Sequence, residues 1–472
     1  MSTPTSSTST ILQQAAQSIL SGATGSSLDV NSLVNALVLG KTAAQQATIN
    51  NAISNDKTLI SSLGSVQSAL SGIVTSLGGL SDGSIFTQLA ATFSGTGITA
   101  TTTTGSAAGA YAVSVQQLAT ANQISSQAYA ANATLGTGNL TIGVGANNIT
   151  IALTGSNNTL AGVAAAINGA SNNPGVTASV VTASDGQHLV LTSTQTGAAN
   201  TVTVSHGAGV DAGLATASFA QVTVAQDAKL TISGNSLTSA SNSVSGGLTG
   251  VTLNLTQAAV GTSQTLTVGT NGSAITTALQ NFTSAYNNWI SNVAAPLSSF
   301  NPNAAPGQQA GPLLGDAMLN SAMNGVSTIV ANGVTVGGNT YSLADIGLNL
   351  NGDGTLTFTA STLQATLTSS PSTVSSLFNG TNGIGQQLNS FISSYTNSTT
   401  GQIAQRDSAI NADLNTQNQA LTSLNAYAAT LNAQYQAQFT QLNTLLSQTA
   451  NSTSYLNQLF GGGGLSGTLN KH

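Results

Sequence analysis

The sequence predicts an α+β fold: a helical coiled-coil stalk built from the paired N- and C-terminal segments, with β-rich head domains inserted in the middle of the chain. Two observations predict it. Apolar residues recur at heptad spacing near both ends, and short runs of β-formers, broken by Gly, Asn and Ser, fill the centre.

The N-terminal seam runs from Leu59 through Leu63, Val66, Leu70, Ile73 and Leu77 to Leu80, in alternating steps of four and three. The C-terminal seam runs from Ile410 through Leu414, Gln417, Leu421, Leu424, Ala428, Leu431, Tyr435, Gln438, Leu442 and Leu445 to Thr449, and no Pro or Gly interrupts it. Forty residues of helix span about 60 Å. A heptad seam needs a partner. The simplest is the other seam of the same chain, so Leu63, Val66, Leu70, Ile73 and Leu77 are expected to pack with Ile410, Leu414, Leu421, Leu424 and Leu431. Neighbouring subunits are a second source of partners, and the two do not exclude each other.

Between about Thr87 and Thr270 lie strand-like runs such as Tyr111–Val115, Leu189–Thr192, Val202–Val204 and Val251–Leu255, with one short helix near Thr159–Ala170. Helix returns at Ile275. A Pro/Gly segment from Pro296 to Pro312 follows, then a helix, a β-pair around Tyr341–Phe358, and the terminal rod. The expected division is 1–45 terminal segment, 46–90 first half of the helical leg, 91–130 first part of the head, 131–205 inserted outer head, 206–272 second part of the head, 273–400 leg with helices and a small β-pair, and 401–472 long helix with its terminal segment.

Composition narrows the function. Of 472 residues, 40% are hydrophobic and only 3% charged: five basic residues, eleven Asp and no Glu. Five scattered cations make no basic patch, which argues against nucleic acid and anionic membrane surfaces as partners. There is no Cys, so no disulfide, thiolate metal site or thiol nucleophile. His188, His206 and His472 stand apart from acids at metal-ligand spacing, and Asp345 and Asp353 lack the closing Glu of an EF-hand loop. Turn chemistry explains these acids, and neither catalytic residues, a metal nor a cofactor is expected. No run reaches the ~18 apolar residues of a membrane helix. Residues 1–21 are Ser/Thr-rich without the basic and apolar regions of a Sec signal, so the protein either stays inside or leaves by a route that reads no such signal.

Six blocks resemble flagellar filament-capping proteins of the FliD-type hook-associated family. They are Ser27–Val38; Gly109–Ala119; Thr159–Val204, similar to an insertion shared with flagellins; Ala225–Ala228 with Ser241–Val244 and Leu248–Leu253; Pro312–Asp316 with Ser342–Gly347, Asp353–Leu356 and Val374–Phe378; and Tyr435–Leu445 with Ser454–Leu456. They occur in family order and cover about Ser27–Phe460. Unlike typical members, this chain has Gln, Asn, Ser and Thr where the terminal helices usually carry charges, so buried polar residues such as Gln417 and Gln438 are expected to set register.

The resemblance implies an extracellular cap at the distal tip of the filament, exported by the flagellar type III route. It implies an annular homo-oligomer, often a pentamer in the family, that helps flagellin polymerise and prevents its loss. The implied partners are other copies of itself, flagellin, the hook–filament junction protein, an export chaperone and the export apparatus. The filament- and subunit-facing surface is expected to comprise Leu28, Leu33, Val34, Leu37, Leu442, Leu446, Tyr455, Leu456, Leu459 and Phe460. The same residues would serve equally in packing the chain's own helix pair. The alternative function is a surface adhesin whose β-rich head binds host glycans; a flagellin or junction protein is a third reading.

With eleven Asp and three His, few protonations can drive acid unfolding. The β-rich region should therefore remain folded in acid. Cooperative loss of its circular dichroism signal above about pH 4, the reference Asp value, would contradict this.

Overall fold

The computed structural model describes residues 30–336 and 339–461 together with the single positions Gln13 and Gln17; of Val336, Asn339 and Phe460 only the backbone is described. Leu28 lies outside the described residues. The fold is α+β and divides into two compact units. A helical unit takes the chain up to Ser81, Leu279–Thr366 and the part from Ser376 onward, and a β-rich unit takes Asp82–Ala278 and Leu367–Ser375.

The helical unit begins with α1 (Val30–Ser81), 52 residues or about 78 Å of helix. Its hydroxyls stabilise it locally: Thr42 donates to the Val38 carbonyl and Ser62 to that of Thr58, so both can be buried without an orphan donor.

The β-rich unit contains β1 (Leu89–Phe93), β2 (Ile98–Thr102), β3 (Gly109–Gln117), β4 (Ala121–Ser125), β5 (Gly138–Val144), β6 (Asn147–Leu153), α2 (Leu160–Asn168), β7 (Val176–Ala183), β8 (Gly186–Thr196), β9 (Val202–His206), β10 (Ala220–Thr223), β11 (Ala228–Ile232), β12 (Asn235–Ser239), β13 (Ser243–Leu248), β14 (Val251–Leu255) and β15 (Ser263–Thr270). It has two cores. One joins the sheet β1-β15-β3-β11-β12 to β13-β14-β2 around Val113, Val115, Leu230, Leu253 and Leu266. The other joins β10-β4-β8-β7 to β6-β5-β9 and α2 around Leu140, Ile142, Val163, Ile167, Leu189 and Leu191. Thr159 caps α2 by accepting from the Gly162 N–H at 3.2 Å. The alternation that marked these strands in the sequence is the inward period of two: in β6, Ile149, Ile151 and Leu153 are buried and their neighbours exposed.

His188 on β8 is a clasp within this unit. Its Nδ1 lies 2.8 Å from the Ser126 carbonyl beyond β4, and its Nε2 lies 3.0 Å from Asp185 Oδ1 in the β7–β8 turn. Both neighbours accept, so only the imidazolium satisfies both. The Asp185 carboxylate, then the Ser126 carbonyl, hold the His188 pKa above its ordinary value. Nearby, burial and then the Asp211 charge push the Tyr129 phenol up to about 12.

The chain re-enters the helical unit within α3 (Gly272–Asn287), which passes into a π-helical turn, Asn288–Ala294, and then α4 (Ala295–Ser298). Next come α5 (Ala317–Ala331), the hairpin β16 (Val334–Val336) and β17 (Asn339–Tyr341), and the hairpin β18 (Leu348–Leu350) and β19 (Leu356–Phe358). The single β-pair expected from the sequence is thus two hairpins. Asp345 and Asp353 are turn residues: Asp345 accepts from the Ser342 N–H, and Asp353 from the N–H and hydroxyl of Thr355. Helices α6 (Ala360–Ser369), α7 (Pro371–Asn379), α8 (Ile384–Thr396) and the 60-residue α9 (Gln402–Gly461) complete the chain.

Helices α1 and α9 pack antiparallel, with Asn432 Nδ2 donating to Asn35 Oδ1 at 3.3 Å near one end and Asp56 opposite Asp413 further along. The register corrects the expected pairing of seams. The Leu63–Leu77 seam of α1 lies mostly beyond the start of α9 and is buried against α8 and the π-helical turn. Gln67 Nε2 donates to the Thr396 carbonyl, and Gln386 Nε2 to that of Ser81. The α9 seam faces the earlier part of α1 instead. There the inward positions are Thr42, Gln46, Ile49, Ile53, Asp56, Ile60 and Leu63, whose polar members hide the heptad from an apolar pattern search. On α9 the inward positions begin earlier than expected, at Ile403 and Asp407, and continue through Ile410, Leu414, Gln417, Leu421, Leu424, Ala428, Leu431 and Tyr435. Gln438 is exposed, and Phe439 takes the next contact, packing on Leu33 and Ala36.

The remaining core of the helical unit includes Phe282, Tyr286, Trp289, Phe378, Leu388 and Ile392, all inaccessible to solvent. Trp289 is the chain's one tryptophan and reports on this unit alone. Two glycines should separate helix propensity from packing. At Gly64, in the middle of α1, an added Cβ meets nothing within 4 Å. G64A should stabilise the unit by about 0.8–1 kcal/mol. At Gly385, where α8 crosses the end of α1, a Cβ would come 2.8 Å from the Phe378 carbonyl and 3.1 Å from Ser81 Cα. G385A should cost about 1–3 kcal/mol. Denaturant unfolding followed by Trp289 fluorescence measures both. For His188, titration of its imidazole by NMR should give a midpoint above the ordinary ~6.5. The clasp stabilises below that value and is lost as pH rises through the raised one; D185N should bring the midpoint down.

Candidate functional site: the exposed end of α9

Past Phe439, α9 extends beyond the described part of α1, which begins at Val30. About 22 residues, roughly 33 Å, remain. Along them Leu442, Leu445, Leu446, Tyr455, Leu456 and Leu459 are each between 45% and 64% exposed. These are fractions typical of surface polar residues, here carried by the largest apolar side chains of the segment.

The chemistry of this surface is neutral. No charged residue occurs on α9 after Asp413. The hydroxyls of Thr444, Thr449, Ser452 and Thr453 donate back to carbonyls one turn earlier, at 2.8–2.9 Å. Their hydrogens are thereby used inside the helix, and the threonines present methyl groups between the leucines. Such a face recognises a partner by area and shape, without ion pairs.

The expected surface residues do not all lie together. Leu442, Leu446, Tyr455, Leu456 and Leu459 share the exposed segment past Phe439. Leu37 on α1 is 40% exposed. Leu33 and Val34 turn inward: Leu33 packs near Phe439 in the helix pair, and Val34 is wholly inaccessible. Leu28 and the Phe460 side chain fall outside the description. Leu445, which the sequence reading placed only in the seam, is the most exposed leucine of this surface. Phe439 is where α9 meets the first residues of described α1, and a heptad pattern on α9 alone does not mark that point.

Elsewhere the titratable groups are dispersed. Among the described residues no three His, Cys, Asp or Glu side chains converge as metal ligands, and no helix is long and apolar enough to cross a membrane. Arg406 pairs with Asp316, the N-cap of α5, which tethers α9 near its start.

Comparison with known proteins gives a consistent result. Residues 26–122 match the family described as flagellar hook-associated protein 2 N-terminus, residues 225–451 the corresponding C-terminus, and residues 139–195 the flagellin hook IN motif. The chain is 32% identical over 476 residues to flagellar hook-associated protein 2 of Escherichia coli K12, covering 94% of this chain and 98% of that protein. It is 29% identical over 442 residues to the B-type flagellar hook-associated protein 2 of Pseudomonas aeruginosa, covering 89% and 93%. The crystal structure of the D1-D2-D3 domains of the flagellar cap protein FliD from Escherichia coli superposes with a TM-score of 0.52 at 31% identity, covering 74% of this chain and 99% of that one. Two β-cores, a helical unit closed by terminal helices, and sequence identity along almost the whole length place this chain in the FliD family of flagellar hook-associated protein 2.

Proposed function

We propose that this protein is the structural cap of the flagellar filament, acting at its distal tip as an annular homo-oligomer that promotes flagellin polymerisation and keeps emerging monomers from being lost. The observation that carries the reading is the neutral apolar face of α9 beyond Phe439, together with Leu37. An assembly factor that must hold the filament end and yet shift as subunits are added needs contacts without directional lock-in. Hydrophobic burial supplies these, because it scales with area and tolerates sliding. In this reading the helical unit docks on flagellin and on neighbouring copies, and the β-rich unit shelters the exit where subunits fold. Export by the flagellar type III route, with a chaperone before secretion and contact with the hook–filament junction protein during assembly, belongs to the same proposal. The protein does no covalent chemistry in it. The glycan-binding alternative for the β-rich unit has no observation in its favour.

The test is complementation of a strain lacking its own cap, ideally in the native host. The unaltered chain should restore filaments and reduce flagellin in the medium. L37D/L456D removes two exposed leucines, each worth about 1.5–3 kcal/mol when buried, or roughly tenfold or more in affinity apiece. Filament number should collapse while the circular dichroism and Trp289 fluorescence of the purified variant stay normal. Normal filaments from this variant would overturn the assignment of the surface. Failure of the unaltered chain in its native host, with the protein present at the cell surface, would overturn the capping role itself.

A further inference from the structure

The chain passes twice between the two cores of the β-rich unit, at 118–120 and at 224–227. The two passages lie side by side as a two-stranded neck, in which Thr120 and Gln226 exchange both backbone hydrogen bonds, at 3.0 and 3.4 Å. An asparagine anchors each end of the neck in its own core. Asn242, between β12 and β13, accepts from the Ala119 N–H at 2.7 Å and donates to the Ala119 carbonyl at 2.9 Å. Asn122 on β4 donates to the Thr223 carbonyl at 2.9 Å and accepts from the Val202 N–H at 2.8 Å. The Thr120–Gln226 pair lies between these anchors. Neither residue belongs to an apolar core, and Val224 beside them is 63% exposed. A ribbon of two strands is marginally stable alone and twists more than a wider sheet, so this pair is where the neck can bend.

A third element crosses the bend. The turn that ends β8, 196–198, comes from the second core, the one around Leu140 and Leu191. Thr196 Oγ1 donates to the Ala240 carbonyl at 2.7 Å, and the Ala198 N–H donates to Asp227 Oδ1 at 2.8 Å, both on the side of the first core. Between them the Gly197 N–H donates to the Thr120 carbonyl at 3.2 Å. Gly197 has φ +107°, and a Cβ there would stand 2.8 Å from Ala240 Cβ and 2.9 Å from its carbonyl oxygen, so the close approach requires glycine. We propose that the turn 196–198 is a latch: it locks the two β-cores into one rigid body, and its release turns the neck into a hinge at Thr120–Gln226. The latch is polar throughout, and the two apolar clusters stay separate across it. Breaking it therefore costs hydrogen bonds and no core burial, so both cores stay folded while their mutual orientation is freed. The latch lies within the β-rich unit and is independent of the capping role.

The chain contains no Cys, so pairs of spin labels can be placed on chosen cysteines of the full-length protein. T99C on β2 with A152C on β6 spans the two cores; T99C with T238C reports on the first core alone, and A152C with T182C on the second. All four positions are exposed. Double electron–electron resonance should give one narrow distance for the spanning pair while the latch is intact. D227A removes the acceptor of the Ala198 N–H and T196V the donor to Ala240, while G197V drives the turn off Ala240. In D227A/T196V and in G197V the spanning pair should lose its narrow peak to a broad distribution, and both pairs within a core should keep theirs. A broad distribution with the latch intact, or a narrow one that survives in both latch variants, would overturn the proposal. Broadening of a pair within one core would mean that the turn supports that core and not the link, which overturns it as well.

Discussion

A helix pair with almost no charge has to fix its register by other means. Ion pairs at the flanks of a seam usually select one alignment among several of similar apolar burial, and α1 and α9 have six charged residues between them. Their alignment rests instead on neutral contacts at identifiable points, with one ion pair at the start of α9. The Asn35–Asn432 amide bond and the Phe439 contact with Leu33 and Ala36 set one end. At the other, Gln67 and Gln386 link α1 to α8, and Arg406 ties the start of α9 to α5. The position of α9 then determines which of its residues face described α1 and which, like the exposed leucines, lie beyond Phe439.

The architecture was legible because its parts carry strong periodicities. Helical spacing at both ends and the period of two in strands such as β6 survive the unusual composition, since they depend only on which residues are apolar. The partner of each seam was not legible. Thr42, Gln46 and Asp56 occupy inward positions of α1. A search for apolar repeats therefore begins the seam at Leu59, too late, and pairs it with the wrong stretch. Burial of Thr42 is possible because its hydroxyl bonds one turn back, a local device that hydropathy does not register.

The surface residues show the same limit. Leucines at 442, 446, 456 and 459 read as a stripe whatever covers them, and only the structure shows that they are about half exposed. Leu33 and Val34 read equally well as outward, yet both are buried. In the β-rich unit the sequence offered no task for His188; the structure gives it one, since its two acceptors bind the β7–β8 turn to the chain after β4.

The back-bonded hydroxyls along α9 bear on how the protein meets its environment. A helix whose serines and threonines keep their hydrogens inside, and which carries no charge over its last turns, offers mobile ions nothing to screen. Association through it should be indifferent to sodium chloride, and salts excluded from protein surfaces, such as sulfate, should strengthen it. A contact of this kind works alike in fresh water and in brine, an independence that a surface studded with lysine and glutamate does not have.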